Sequence, residues 1–421
     1  MGFNCREHSG KSSDRRVGKA NPCHRCALVE GMEQRQLLSA AVAPGARAAH
    51  RPDANPTATI TLTPSTTFQT IQGWLGIANL EGPSAFQRTQ ALDMLVNDLG
   101  LTGLRLEAPA GNEVDGVSWE ATPAEDLTTF AKTGAPADPT YSDFDTSLTD
   151  QRVTEVVVPF QQLVDARQAN AFSLYTSQSL YNYGSSGHIP TWMAGNPGEY
   201  AENLVSFDEY LKSKYGIVPN YMTILNEEDN QTHMTPVLNA AIIRAVGPLL
   251  QKAGLSTKVL AGETVTPTDV TPTAPTATNY VSSLTAQDWK YIAGISYHNY
   301  GDTPAEQAAA YAEAQSQGVF ASEDESTDGD ALTMYNDLVS GSTSFSMPQY
   351  GMVGLNSPGV TSTGVLLNAG VDGSSIQPGE SYFDFRQVMD YVRPGAVRIG
   401  ASSSNGNIET MAFQDNGQVT T

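Results

Sequence analysis

Two short stretches of this sequence end an apolar run in clustered acid. Residues 221 to 230 read Y-M-T-I-L-N-E-E-D-N, so the run Met222 to Leu225 stops abruptly in Asn226, Glu227, Glu228 and Asp229. The run has the length and character of a buried strand. Three acids and an amide at the mouth of such a strand repel one another and lose hydration. A turn would need only one Asn or Asp, so this arrangement points to chemistry. The second stretch, V-F-A-S-E, ends at Glu323, 96 residues after Glu227. Of two facing carboxyl groups, one can protonate a leaving oxygen while the other attacks carbon or activates water, which is what glycoside hydrolysis requires. Glu228 stays open as the acid in place of Glu227, because neighbours on an extended chain point to opposite sides.

These carboxylates need strands to carry them and helices to space the strands. Ser84 is placed to cap a helix that runs to Leu99 and stops at Gly100. Leu104 to Glu107 and Phe172 to Tyr175 read as strands, with a helix from Val153 to Ala169 between them. Tyr200, Leu204, Phe207, Leu211 and Tyr215 recur at helical spacing before Gly216. A helix from Pro236 to Ala253, a strand ending near Glu263 and a strand ending at His298 follow. Thr303-Pro304-Ala305-Glu306 is a capping box with Pro at the first helical position. Counted from Gly73, Met222–Leu225 is the fourth strand and Val319–Ser322 the seventh, with the eighth expected within Met347 to Leu355. Strands alternating with helices, about eight times over, predict an α/β fold, a (β/α)8 TIM barrel. Glu227 and Glu323 would then lie three βα units apart, each of about 30 residues, at the end of the barrel where catalysis is found.

The tail Val397 to Thr421 carries hairpin signals at Asn405-Gly406 and Asn416-Gly417. It is too short to form a stable sheet alone, so it is expected to pair with the strands at Thr59 to Phe68 in a small side β-sandwich. The sequence stops in a mid-strand pattern at Gln418–Thr421, as a truncated side domain would. The predicted division is a leader over 1–55, side-domain strands over 56–72, the barrel over 73–393 and the rest of the side domain over 394–421.

A formal charge of −22 argues against nucleic acid and anionic membrane surfaces as partners, and no apolar run is long enough to span a bilayer. The first 51 residues stand apart, with 9 of the 23 Lys and Arg but 4 of the 45 Asp and Glu. They also hold all three cysteines, Cys5, Cys23 and Cys26. Cys23-His24-Arg25-Cys26 has C-x-x-C spacing but lacks a second ligand pair, so no metal is expected there. Met32 to Ala40 resembles the L-E-P-R-x-L-L-S-A motif near the start of many bacterial exported and surface proteins, with Met32 and Gln34 departing from it. That resemblance implies a secreted or cell-surface bacterial protein.

From about residue 59 to 421 the chain resembles glycoside hydrolase family 30, in the large clan of retaining barrel glycosidases that includes the glucosylceramidase and β-1,6-glucanase group. The motifs that carry this resemblance are Gly73-Trp74, Arg105, Pro190-Thr191-Trp192-Met193, Asn226-Glu227, His298-Asn299-Tyr300, Ser322-Glu323 and Arg393-Pro394-Gly395 with Arg398-Ile399. Ser322-Glu323-Asp324 with Ser326-Thr327 is also similar to the galactocerebrosidase family. The resemblance implies Glu227 as general acid/base and Glu323 as nucleophile. It implies that Asn226 hydrogen-bonds the sugar 2-hydroxyl, that Arg105 orients and ionises the nucleophile, and that His298 and Tyr300 lie in the sugar subsite. Trp192 and Trp74 are candidate stacking platforms, with a buried aromatic role open for both. The other reading of Arg105 is a core ion-pair partner, and that of His298 a hydrogen-bonded wall. Glu263 and Glu325 read as rim residues, and Glu228 and Asp229 are expected to push Glu227 toward its protonated form. Glu228 stands where the family has Pro, and Ser177 to Tyr183 where it has a Trp-rich segment. The resulting expectation is a cofactor-free retaining hydrolase of a β-linked polysaccharide or oligosaccharide. The alternative is a non-catalytic carbohydrate-binding protein on a degenerate barrel.

Overall fold

The computed structural model describes residues 58–80, 82–109, 146–179, 195–231, 234–271, 279–326, 330–346, 352–356, 365–373 and 375–421. The expected leader over 1–55, with its three cysteines, and the segment carrying Trp192 lie outside the described residues.

Eight strands make one sheet. They are β2 (Gly73–Ile77), β3 (Gly103–Pro109), β4 (Ser173–Ser179), β5 (Tyr221–Thr223), β6 (Lys258–Thr264), β7 (Ile292–Asn299), β8 (Phe320–Ser326) and β9 (Ser344–Ser346). Their spatial order is β8-β7-β6-β5-β4-β3-β2-β9, and every paired neighbour is parallel. The Thr343 N–H donates to the Ala321 carbonyl at 2.9 Å, which brings the start of β9 against β8 and closes the ring. This is the expected barrel, with β5 fourth and β8 seventh.

The eighth strand is a correction. It is Ser344–Ser346, whereas Val353–Asn356 (β10) joins Leu367–Gly370 (β11) and Ile376–Pro378 (β12) in a separate small sheet. The true strand lacks an apolar run, and its first residue is a fully buried serine. Ser342 Oγ donates to the Ser344 carbonyl at 2.7 Å, and Ser344 Oγ lies 2.5 Å from Ser322 Oγ. A reading guided by hydrophobicity passes over such a strand.

The helices start and stop where their caps place them. Ser84 and Gln87 form a reciprocal capping box at the helix Ala85–Asp93, which continues as a π-turn, Met94–Leu99, to Gly100. Gly100 adopts φ 104°, and a Cβ there would fall 2.3 Å from the Met389 carbonyl oxygen. Thr303 and Glu306 make the expected capping box at Pro304–Ser316.

Inside the barrel, Leu75, Tyr175 and Leu260 pack with Tyr221, Ala293 and Phe320 into an apolar floor. Tyr221 meets Tyr175 and Phe320 edge-on, at ring-centroid distances of 4.9 and 5.5 Å. Two larger apolar clusters fill the space between the strands and the helices. The charged cluster around Arg105 lies farther along the strands, toward their C-terminal ends.

At the side, β1 (Ile60–Thr70) pairs antiparallel with β13 (Val397–Ser403), followed by β14 (Ala412–Asp415) and β15 (Gln418–Thr420). The N- and C-terminal strands thus meet as expected. The last hairpin turns at Asn416 (φ 47°) and Gly417 (φ 82°), the positive-φ pair that a tight two-residue turn requires. Arg398 stacks 3.8 Å above the Phe68 ring and donates to the Val339 carbonyl, fastening the side sheet to the barrel.

Trp74 is fully buried in the cluster between strands and helices, and its indole N–H donates to the Val392 carbonyl at 2.6 Å. It is a core residue and no stacking platform, because pleat alternation gives the barrel interior to its neighbour Leu75. Trp74→Ala is expected to cost about 3–5 kcal/mol of stability. Urea unfolding measures it, and a loss below about 1 kcal/mol would contradict this packing.

Candidate active site

The first carboxylate is set by a strained turn. The Asn226 N–H donates to the Gln178 carbonyl at 2.8 Å, holding the end of β5 against β4. Glu227 then takes φ 55° and ψ 62°, a left-handed conformation uncommon for a residue with a Cβ. The chain continues into a single 3-10 turn, Glu228–Asn230. This sharp reversal parts three consecutive acids. Glu227 stays partly exposed at the barrel mouth, Glu228 is fully buried, and Asp229 accepts the Val265 N–H at 2.8 Å.

The second carboxylate is set by a bulge. Along β7 and β8, Ser296 pairs with Ser322 and Tyr297 with Glu323, but His298 pairs with Glu325. Asp324 is the extra residue, and its carboxylate accepts from Ser322 Oγ at 2.5 Å and from Ser296 Oγ. Without the bulge, Glu323 and Glu325 would share one face of the strand. With it, Glu325 turns toward the barrel axis. Glu323 faces outward, where its charge acts on Tyr297 beside Asp337. The sequence reading set Glu323 beside Arg105 and opposite Glu227; the structure puts Glu325 in that place.

Around these two, the structure brings together most of the other candidates. Tyr300 Oη lies 2.6 Å from Glu325 Oε1 and 3.0 Å from Glu227 Oε1, bridging the pair. His298 Nδ1 is 3.2 Å from Tyr300 Oη and 3.5 Å from Glu227 Oε1. Arg105 forks between two acids, with Nη1 donating to Glu263 Oε1 at 2.7 Å and Nη2 to Glu325 Oε2. Asn226 Oδ1 is buried and has no hydrogen-bond partner among the described residues, leaving an acceptor free for a ligand. Ligand-capable atoms of Glu227, His298 and Glu325 all lie within 4.8 Å of one another. Such a trio could ligate a small cation, but an imidazole carrying both its protons has no lone pair to give.

The charge balance of this cluster differs from the expected one. Burial disfavours the charged form of His298, but Glu325, Glu227 and Glu263 outweigh that and push its pKa up to about 10. Burial likewise opposes ionisation of Glu227, yet hydrogen bonds from His298, Asn230 and Tyr300 hold it down to about 2. Glu228 and Asp229 do not raise Glu227, because the left-handed turn directs them elsewhere. They carry raised pKa values themselves. Burial pushes Glu228 well above the carboxylate range against the opposing Asn239 amide, and burial takes Asp229 to about 6. Both shifts favour the proton on His298 over Glu227.

Two residues of the site escaped the sequence reading as functional. Glu263, taken for a rim residue, is fully buried and bonded to Arg105, Ser177 and Thr223. Its signal was present, since the run Val259-Leu260-Ala261 ends at Gly262-Glu263 just as the other two strands end in acid. Glu325 is not a rim residue either, being 5% exposed. Trp192 lies outside the described residues.

No family model and no curated protein sequence matches the chain. Solved structures do. An endo-β1,6-glucanase superposes with a TM-score of 0.61 over 85% of both chains at 18% identity. The catalytic domain of family-30 xylanase C from Talaromyces cellulolyticus gives 0.55 at 20% identity, covering 85% of this chain and 84% of its own. A family-30 endoxylanase from Clostridium papyrosolvens gives 0.57 at 17% identity over 86% and 82%. The fold is that of the family-30 glycoside hydrolases. This family-30 fold is the one that the motif order implied.

Glu228 offers a test of the local geometry. A carboxyl whose pKa rises on folding is stabilising relative to the ionised state below its unfolded pKa, and that stability is lost as pH climbs from the unfolded value toward the folded one. Glu228→Gln, of the same shape but without charge, is expected to raise stability at pH 7 by on the order of 1–3 kcal/mol and to leave it nearly unchanged at pH 4. Thermal unfolding at the two pH values decides it.

Proposed function

We propose that this protein is a retaining β-glycoside hydrolase acting on a β-linked polysaccharide or oligosaccharide. The observation that carries the reading is the pair Glu227 and Glu325, whose oxygens lie within 4.8 Å across the barrel mouth under one shared tyrosine. Retaining glycosidases hold their two carboxyl groups about 5–5.5 Å apart, whereas inverting ones leave about 6.5–9.5 Å for a water. The spacing here supports direct attack by one carboxylate.

Glu325, held by Arg105 and Tyr300, attacks the anomeric carbon and forms an ester as the bond to the leaving oxygen breaks. That oxygen departs as an alcohol with a proton from Glu227. Because the proton starts on His298, it reaches Glu227 across the short Nδ1 to Oε1 gap once a sugar excludes water from the mouth. In the second half Glu227 takes a proton from water, which attacks the same carbon and frees Glu325. Asn226 Oδ1 accepts a hydrogen bond from the sugar, for which the 2-hydroxyl is the partner that the family resemblance suggests.

The names of the fold neighbours, a β1,6-glucanase and two xylanases, support a β-glycan substrate. Secretion is supported by the leader resemblance and by a neighbour described as a conserved exported protein from Bacteroides fragilis. Among the described residues no helix is long and apolar enough to cross a membrane.

The decisive experiment is hydrolysis of β-glucans, xylans, galactans and aryl β-glycosides by wild type, Glu227→Gln, Glu325→Gln and Glu323→Gln. Glu227→Gln and Glu325→Gln are each expected to lose at least about 100-fold in kcat, with Glu323→Gln close to wild type per folded molecule. Peptide mapping after a 2-deoxy-2-fluoro glycoside label is expected to find the ester on Glu325. A label on Glu323 would return the nucleophile to the residue that the motif designates. A folded wild type that retains polysaccharide without turnover would make the protein a binding module.

A further inference from the structure

We propose that Glu263 is a positioning residue of this site, a buried carboxylate that holds Arg105 and His298 between Glu227 and Glu325. The inference rests on the glycosidase reading for its consequence, but its geometry stands independently of that reading.

Glu263 is fully buried and offers no open face to a ligand. One carboxylate oxygen takes Arg105 Nη1 at 2.7 Å and lies 3.7 Å from His298 Nε2. The other accepts from Ser177 Oγ at 2.6 Å and from Thr223 Oγ1. Four strands thus converge on one side chain: β3 through Arg105, β4 through Ser177, β5 through Thr223 and β7 through His298. Such a group cannot transfer protons to a substrate. What it can do is fix the position and charge of two cations, Arg105 bonded to Glu325 and His298 beside Glu227.

The backbone supports a dedicated role. Glu263 has φ 61°, follows Gly262 at φ 103° and sits where the β6 to β7 register shifts. Of the four non-glycine positive-φ residues in the described chain, two are Glu227 and Glu263. Strain of this kind persists where the surrounding structure over-determines it, and it clusters at functional sites. Stability alone does not account for the residue. Glu325 already pairs Arg105, and a further buried carboxylate adds desolvation cost. Its net effect is to make the buried charge balance demand a second cation, which only His298 can supply.

His298 is faced by charged and titratable groups from every packed element. These are Arg105 on β3, Glu227 and Asp229 after β5, Glu263 on β6, Tyr300 after β7, and Glu325 on β8. Removing the Glu263 charge leaves Arg105 to Glu325 alone and withdraws one of the carboxylates that keep His298 protonated. With one carboxylate fewer beside it, His298 releases its proton at lower pH, so the basic limb of the activity profile shifts to lower pH.

The test uses Glu263→Gln, with Glu263→Asp as a milder variant that keeps the charge but withdraws it from Arg105 and His298 by one methylene. The His298 ring is followed by NMR titration, assigned by comparison with His298→Gln, and kcat and KM are measured across pH. Glu263→Gln is expected to lower the His298 titration by about one pH unit or more, to cut kcat at least tenfold with KM little changed, and to move the basic limb down. Glu263→Asp is expected to shift the same way by less. An unchanged His298 titration in Glu263→Gln, or a wild-type pH profile in either variant that folds, would overturn the proposal whatever the loss in yield. Should Glu263→Gln not fold, the Glu263→Asp titration decides alone. If wild type turns nothing over, the glycosidase reading fails, while the ring titration still decides whether Glu263 governs His298.

Discussion

The site depends on one buried charge arrangement, Arg105 and protonated His298 set among Glu227, Glu263 and Glu325. Three carboxylates in so small a volume, with Glu263 fully buried and Glu325 nearly so, could not all ionise without cations inside the same cluster. Arg105 supplies one charge permanently, since its fork lies between two acids and is always protonated. His298 supplies the other conditionally. The barrel exists to hold these groups in register, and its apolar floor of Leu75, Tyr175, Leu260 and Phe320 keeps water from relaxing them from below.

Backbone irregularity, more than side-chain identity, aims the acids. Glu227 and Glu263 reach the axis through left-handed residues, and Glu325 reaches it through a bulge stabilised by Asp324 and two serines. Regular strands would alternate these acids between barrel and helix layer. Each device departs from ideal strand geometry where three strands end, which is where βα barrels place their chemistry. Glu228 and Glu323, one or two residues away, are buried on the other side for the same reason.

The same geometry explains how the site can be chemically polarised before a ligand arrives. Tyr300 touches both Glu227 and Glu325 but has a single proton. Its shorter contact is to Glu325, which also accepts from Arg105. Glu227 faces the cation His298 instead. Two carboxylates of the same residue type are thus given different surroundings, the arrangement that the proposed division into acid and nucleophile calls for.

The sequence alone determined the barrel, the ranks of its fourth and seventh strands and most helix caps, and it singled out Arg105, Asn226, Glu227, His298 and Tyr300, which the fold gathers at one end of the barrel. All of these follow from periodicity, capping chemistry and motif order, which are local. It also determined that N- and C-terminal strands pair, because neither could form a sheet alone. Tertiary structure alone decided the rest. The serine-built eighth strand is invisible to hydrophobic pattern, and the burial of Trp74 follows from which side of β2 faces the axis. The exchange of Glu323 for Glu325 turns on one inserted residue in the ladder between β7 and β8. The low pKa of Glu227 comes from His298, 71 residues away in sequence and 3.5 Å away in space. Pattern sets which strand an acid ends, but only the register and the bulges of the closed sheet set where its carboxylate points.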